Sequence, residues 1–298
     1  MAKTTVGVAG LGIMGSAISA NLAAAGITTL GYDIVAKRRK AAEAAGVTAA
    51  KDIRDLARNA PIVLTSLPST ESLLAVAREI AQAQGIAKIV IETSTLPIAD
   101  KESARAVLEK QGVTLLDCPL SGTGAQARTR DLAVYASGPR SAFKRCVRVF
   151  EGFARTHVYL GEFGNGSKMK FLANLLVAIH NVSAAEALVL ARKAGIDPAL
   201  AVAVLGDGAG ASRMLQIRGP MMARGEYGDA TMKVGVWQKD MKIIAEFARS
   251  LDCPTPLFSA TAPIYNAAMA QGFGAADTAS VCAVLENLAG VKRGGPRR

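Results

Sequence analysis

Short runs of β-branched and apolar residues alternate with longer stretches of helical periodicity through the first half of the chain. The runs at 5–9, 28–32, 62–67, 88–92, 113–116, 132–136 and 157–160 read as strands. Stretches such as 16–25 and 69–82 repeat their apolar positions at helical spacing and fall between the early strands. Strands alternating with helices predict a mainly parallel sheet with helices on both faces. After Gly166 the pattern changes. Apolar residues now recur every three or four positions from 168 to 194, and strand-like runs almost disappear. Gly195 ends that helix and Asp197-Pro198 opens the next. Residues 199–205, 236–249, 256–271 and 278–288 also read as helices. The expectation is a strand-rich domain over residues 1–164, an all-helical domain over 165–290 joined to it by one long helix, and a short tail over 291–298.

Composition changes this picture little. Half of the 298 residues are hydrophobic and a fifth are charged, the balance of a globular chain rather than a disordered one. Cys118, Cys146, Cys253 and Cys282 lie far apart with no C-x-x-C pair, so neither a disulfide framework nor a zinc site is expected, and a reducing compartment is the simpler reading. The first residues have no signal-peptide core, and the apolar stretch 172–179 is interrupted by Asn174 and too short for a bilayer, so a cytoplasmic protein without membrane association is expected. The net charge is +11, from 35 Lys and Arg against 24 Asp and Glu. Part of the excess sits in Lys37-Arg38-Arg39-Lys40 and part in the tail from Lys292 to Arg298, which reads as disordered. A basic surface suits nucleic acid, but no nucleic-acid module is visible, so an enzyme with anionic cofactor and substrate is the favoured reading and no nucleic-acid partner is expected.

The candidate chemistry begins at Gly10-Leu11-Gly12-Ile13-Met14-Gly15, a G-x-G-x-x-G sequence directly between a strand and a helix. Gly10 permits a tight turn, Gly12 lets the backbone approach a diphosphate, and Gly15 allows close helix–strand packing. The helix amino end then offers unpaired N–H groups and partial positive charge to that diphosphate. A second strand leads to Asp33, about twenty residues beyond the glycines, where a carboxylate accepts from the adenosine ribose. These features predict a Rossmann dinucleotide site. Asp33 repels a 2′-phosphate and favours NAD, whereas Lys37, Arg38 and Arg39 keep NADP open.

Gly164-Asn165-Gly166-Ser167-Lys168-Met169-Lys170 opens the long helix. The P-loop spacing fails there, because Ser167 stands where that motif needs lysine. At about 100° per residue, Lys170, Asn174 and Asn181 project within roughly 40° of one another and form a polar stripe. His180 projects roughly 80° from Lys170 and reads as a packing residue. With only His157 and His180 available, and no carboxylate cluster beside them, no metal site is expected.

Four motifs in this order resemble the β-hydroxyacid dehydrogenase family: the glycine fingerprint with Met14, Asp117-Cys118-Pro119-Leu120-Ser121-Gly122, the 164–174 segment, and Lys239-Asp240. The resemblance runs from residue 7 to about residue 240. It implies Lys170 as catalytic acid/base with Asn174 orienting the substrate. It implies Ser121, Gly122 and Thr123 as the loop that holds the substrate carboxylate. Leu67-Pro68 and Ser94-Thr95 would line the nicotinamide side of the cofactor, Lys239 would close over it, and Asp240 would anchor the helix of Lys239. The sequence departs from the family at Thr123, which stands for a second glycine, at Ala173, where many members have Asn, and at Met232, where an aromatic often precedes the Lys-Asp pair.

The implied reaction is hydride transfer between nicotinamide and a small β-hydroxyacid or its semialdehyde, by a homodimer or homotetramer. The 6-phosphogluconate-type alternative needs an acid two turns beyond the lysine, where Val177 stands. An imine-reductase-type relative typically replaces Lys170. A non-enzymatic Rossmann module binding nucleotide or nucleic acid is the reading from another class, and the pairing of Lys170 with Asn174 speaks against it.

Overall fold

The computed structural model describes residues 4–293, and these divide into two compact units, one ending at Lys170 and one beginning at Phe171. In the first unit β1 (Thr5–Ala9), α1 (Ile13–Ala24), β2 (Thr28–Tyr32), α2 (Ala36–Glu43), β3 (Thr48–Ala49), α3 (Ile53–Asn59) and β4 (Ile62–Thr65) follow in order. They continue with α4 (Thr70–Gln82), β5 (Ile89–Glu92), α5 (Ile98–Glu109) and β6 (Thr114–Asp117). The six strands form one sheet in the order β3-β2-β1-β4-β5-β6, every pair parallel. This is the doubly wound Rossmann arrangement, and its switch point lies between β1 and β4.

Both faces of the sheet are covered, so the central strands β1, β4 and β5 are buried on both sides. Val6, Val8, Ile62, Leu64, Ile89, Ile91 and Leu116 pack into one core, with Ile18 and Leu22 of α1. Val63, Val90 and Leu115 point the other way, onto Leu56 of α3, Leu73 and Ile80 of α4, and Leu108 of α5. The chain then forms β7 (Leu120–Ser121), α6 (Gly124–Arg128), β8 (Ala133–Ala136), α7 (Arg140–Phe153) and β9 (Thr156–Tyr159). β7, β8 and β9 make a second, three-stranded sheet in which β7 and β8 run antiparallel. The strand pattern alone suggested a single sheet. A bridge between Asp117 and Ser137 joins the two. α7 seals the first core with Ala142, Cys146, Val149, Phe150 and Phe153, one face of a helix by their spacing.

The 29-residue α8 (Asn165–Lys193) starts in the first unit and runs on through the second. By length and composition it meets the requirement for crossing a bilayer, with a mean hydropathy of 1.5 over its most apolar window. It serves here as a core helix: Phe171, Asn174, Ala178, Asn181, Ala185 and Leu188 are buried in the second unit. α9 (Pro198–Gly206), α10 (Arg213–Arg224), α11 (Val234–Ser250), α12 (Pro256–Ala270) and α13 (Val281–Leu288) complete that unit. The helix expected over 278–288 is a 3-10 turn at Thr278–Ser280 followed by α13.

The tail expected from residue 291 needs correction at Arg293. Its guanidinium pairs with Glu286 at 2.8 Å, donates to the Met222 carbonyl and the Tyr227 hydroxyl, and lies over the Tyr227 ring. Arg293 therefore belongs to the packed second unit, and residues 294–298 lie outside the described residues.

Candidate active site

The glycine turn sits where β1 meets α1. Gly10 has φ +92°, and a Cβ there would run into the Ser66 carbonyl oxygen, so the turn demands glycine on both counts. A Cβ at Gly15 would strike the Gly10 carbonyl, whereas one at Gly12 would meet nothing within 4 Å. Gly12 is also the N-cap of α1 and supplies no side-chain cap, which leaves the first N–H groups of the helix without a capping side chain. An open approach to an uncapped helix end is what a diphosphate requires, and the residues present fit a dinucleotide. Ile13 is exposed there, and Met14 is half-buried.

Leu11 has a different part. Its side chain is buried in the core, and its N–H donates to Asp33 Oδ2 at 2.8 Å rather than to a ligand. Asp33 follows β2 directly, and its Oδ1 accepts from the Val35 N–H at 2.8 Å. Burial pushes the Asp33 carboxyl up. The N–H groups of Val35 and Leu11 and the Arg38 guanidinium at 3.2 Å outweigh this and hold it below the usual carboxylate range. Arg39 folds back onto the Asp33 carbonyl at 2.5 Å and lies over the Tyr32 ring. Arg38 and Arg39 are thus both engaged with Asp33.

The remaining candidates of the first unit follow the carboxyl ends of successive strands. Leu67 and Pro68 leave β4 early, since the strand ends at Thr65 and not at 67, and the Leu67 N–H donates to Ser94 Oγ at 2.9 Å. Ser94 and Thr95 follow β5, and the Ser94 N–H donates to Glu92 Oε1. Ser121, Gly122 and Thr123 are half-buried at the junction of β7 and α6. Thr123 caps α6, and its N–H donates to Gln126 Oε1 at 3.0 Å, so Gln126 already engages that donor of the proposed carboxylate loop. Gly124 lies against Ile13 Cγ2, so the loop borders the glycine turn. Lys170 is half-buried, on the second turn of α8.

In the second unit Asn174 is buried, and its Nδ2 donates to Asp240 Oδ2 at 3.0 Å. Lys239 Nζ lies 3.3 Å from Asp240 Oδ1. Asp240 therefore orients Asn174, a connection that sequence reading had limited to the helix of Lys239. Asn181, projected onto the same stripe, belongs to the core. It is fully buried and donates to the Tyr265 hydroxyl and the Thr278 carbonyl.

Sequence reading missed one group entirely. Lys101 of α5 is fully buried with its Nζ 2.6 Å from Glu92 Oε2, 2.8 Å from Asp117 Oδ1 and 2.7 Å from the Ser94 carbonyl. Burial alone would push its amine down, but the two carboxylates raise it well above the ordinary lysine value.

Residues 5–161 match the NAD binding domain of 6-phosphogluconate dehydrogenase, and residues 164–285 match the NAD-binding domain of NADP-dependent 3-hydroxyisobutyrate dehydrogenase. An L-threonate dehydrogenase of Cupriavidus necator is 31% identical over 95% of this chain and 96% of its own length. The chain belongs to the β-hydroxyacid dehydrogenase family. Members include the 2-hydroxy-3-oxopropionate reductase of Escherichia coli, 29% identical over 96% of this chain and 99% of its own. The crystal structure of 3-hydroxyisobutyrate dehydrogenase from Salmonella typhimurium superposes with a TM-score of 0.85 at 28% identity, over 95% of this chain and all of that one. As a β-hydroxyacid dehydrogenase this chain is an NAD(P)-dependent oxidoreductase.

Proposed function

We propose that the protein oxidises a small β-hydroxyacid, or reduces the matching semialdehyde, with NAD as the preferred cofactor and Lys170 as the acid/base. The names of the relatives support the substrate class, since each joins a carboxylate to an alcohol or an aldehyde. The observation that carries the reading is a basic amine at residue 170, one turn after the anchored start of α8, in a unit whose helix α1 presents an open, uncapped amino end.

Bound nicotinamide would accept or supply the hydride at its C4 carbon. In oxidation Lys170 takes the hydroxyl proton, and in reduction its ammonium polarises the carbonyl and returns the proton. Asn174 keeps its carboxamide in one orientation through Asp240, so it can hydrogen-bond substrate without competing for the proton. Ser121 supplies a hydroxyl, and Gly122 an N–H, to the substrate carboxylate. Thr123 adds bulk beside them and narrows the choice of substrate. Asp33 accepts from the ribose hydroxyls and repels a 2′-phosphate, which supports NAD.

The exposed Leu172, Leu176 and Leu190 of α8, with Leu200 and Val204 of α9, support a homodimer or homotetramer. A cytoplasmic location and independence from nucleic acid and membrane complete the reading. The test is a panel of C3–C6 β-hydroxyacids and semialdehydes with NAD and with NADP, followed by nicotinamide absorbance. Turnover of at least one carboxylate-bearing substrate with NAD supports the proposal. Turnover of none, or only of substrates without a carboxylate, contradicts it.

A further inference from the structure

The amino end of α8 is attached to the sheet by a buried charge network that the chemistry above leaves unused. The Gly166 N–H donates to Ser137 Oγ at 2.9 Å, and the Ser167 N–H donates to Asp117 Oδ2 at 2.7 Å. The Ser167 hydroxyl donates to Asp117 Oδ1 at 2.8 Å. The two backbone N–H groups are among the donors that a helix start leaves without an internal partner. A carboxylate at this end also opposes the partial positive charge of the helix. Any side chain at Gly166 would collide with the Tyr135 and Asp117 carbonyls, so the helix backbone lies flush against β6 and β8.

Asp117 is itself fixed. Lys101 holds its Oδ1 and also grips Glu92 and the Ser94 carbonyl, and all three charged side chains are fully buried. Burying charges costs several kcal/mol each unless they are paired, and an apolar packing of equal volume is often at least as stable. The group therefore calls for a purpose other than stability, and registry is the best attested one. Its geometry offers one. Ser94 belongs to the loop that receives the Leu67 N–H, on the side assigned to nicotinamide, while Asp117 holds Ser167 one turn before Lys170. Slipping α8 by one residue would turn Lys170 by about 100° and move it by about 1.5 Å.

We propose that Asp117, held in place by Lys101, is a positioning residue for Lys170, setting the register of α8 through its two hydrogen bonds to Ser167. This rests on the assignment of Lys170 as acid/base.

The experiment compares Ser167→Ala, Ser167→Thr and Lys170→Ala. It measures kcat, KM, NADH affinity by fluorescence titration, and amide hydrogen exchange over residues 165–170. Ser167→Ala is expected to lower kcat about 10- to 100-fold, as a misplacement of about 1 Å would. KM and NADH affinity stay near wild type, amide exchange at the helix start accelerates, and Ser167→Thr restores kcat. Unchanged kcat and exchange in Ser167→Ala overturn the proposal. So does an equal loss of NADH affinity that threonine fails to rescue, because that reports general loosening. Should Ser167→Ala not fold, Ser167→Cys keeps the side-chain volume with a weaker donor to Asp117 Oδ1 and is judged by the same readouts. Activity retained by Lys170→Ala overturns the catalytic assignment instead, while amide exchange still reports whether Asp117 sets the register.

Discussion

The Leu11 N–H donates to Asp33 Oδ2 at 2.8 Å, so the carboxylate assigned to the ribose also braces the turn assigned to the diphosphate. Removing it should affect both. Asp33→Ala loses hydrogen bonds to a charged group, each worth roughly 1.5–3 kcal/mol, and NAD affinity should fall roughly 10- to 150-fold. NADP should lose less, because Arg38 is freed from its partner. Titration of both cofactors checks this, and an equal loss for NAD and NADP would refute the role of Asp33 in the choice.

Asn174 and Asp240 should behave as one unit in a double-mutant cycle. Each single change to Ala disturbs the same hydrogen bond, so turnover should fall in both and fall little further in the double variant. A coupling of about 1–3 kcal/mol in kcat/KM is expected. Fully additive losses would show that Asp240 does not orient Asn174.

Asp277 predicts an acid limit for the second unit. Burial pushes its carboxyl up. Arg218 at 3.0 Å and the N–H groups of Ala279 and Met232, with Thr231, nevertheless hold it below the usual range. The unfolded chain then binds more protons than the folded one below about pH 4, so this stabilisation is present above that pH and is lost as pH falls through the folded value. Asp277→Asn should cost about 3–5 kcal/mol near neutral pH by leaving Arg218 buried without its counter-charge. It should also flatten the decline in stability at acid pH. Denaturant melts from pH 3 to 7 measure both effects.

Arg293 makes a separate prediction about the end of the chain. Arg293→Ala deletes the contacts to Glu286, the Met222 carbonyl and the Tyr227 hydroxyl, and the expected cost is about 1–3 kcal/mol. Truncation after residue 290 should destabilise by at least as much, and an unchanged Tm in both would show that the latch is idle.

The parts legible in sequence are those whose chemistry is local. The glycine turn announces itself because steric demands at Gly10 and Gly15 arise within a few residues of chain, and Asp33 follows at a spacing set by one helix and one strand. Asn181 misled the reading because a helical projection gives an angle about the axis but not which neighbour covers it, and Tyr265 and Thr278 lie far along the sequence. Lys101 was invisible for the same reason. A lysine in an amphipathic helix reads as solvated, and only the fold brings Glu92 and Asp117 to its amine. α10 went unread because Gly206, Gly208 and Gly210 before it, with Gly219 and Pro220 inside it, mask its periodicity. Arg293 looked like part of a charged tail because two of its partners, the Met222 carbonyl and the Tyr227 hydroxyl, lie far back along the chain.

The most direct test of the account is the turnover of Lys170→Ala alongside its affinity for NADH. Loss of a positioned acid/base should lower kcat at least about 100-fold while NADH binds within a few-fold of wild type. A variant that keeps most of its kcat would contradict the assignment of the acid/base to residue 170.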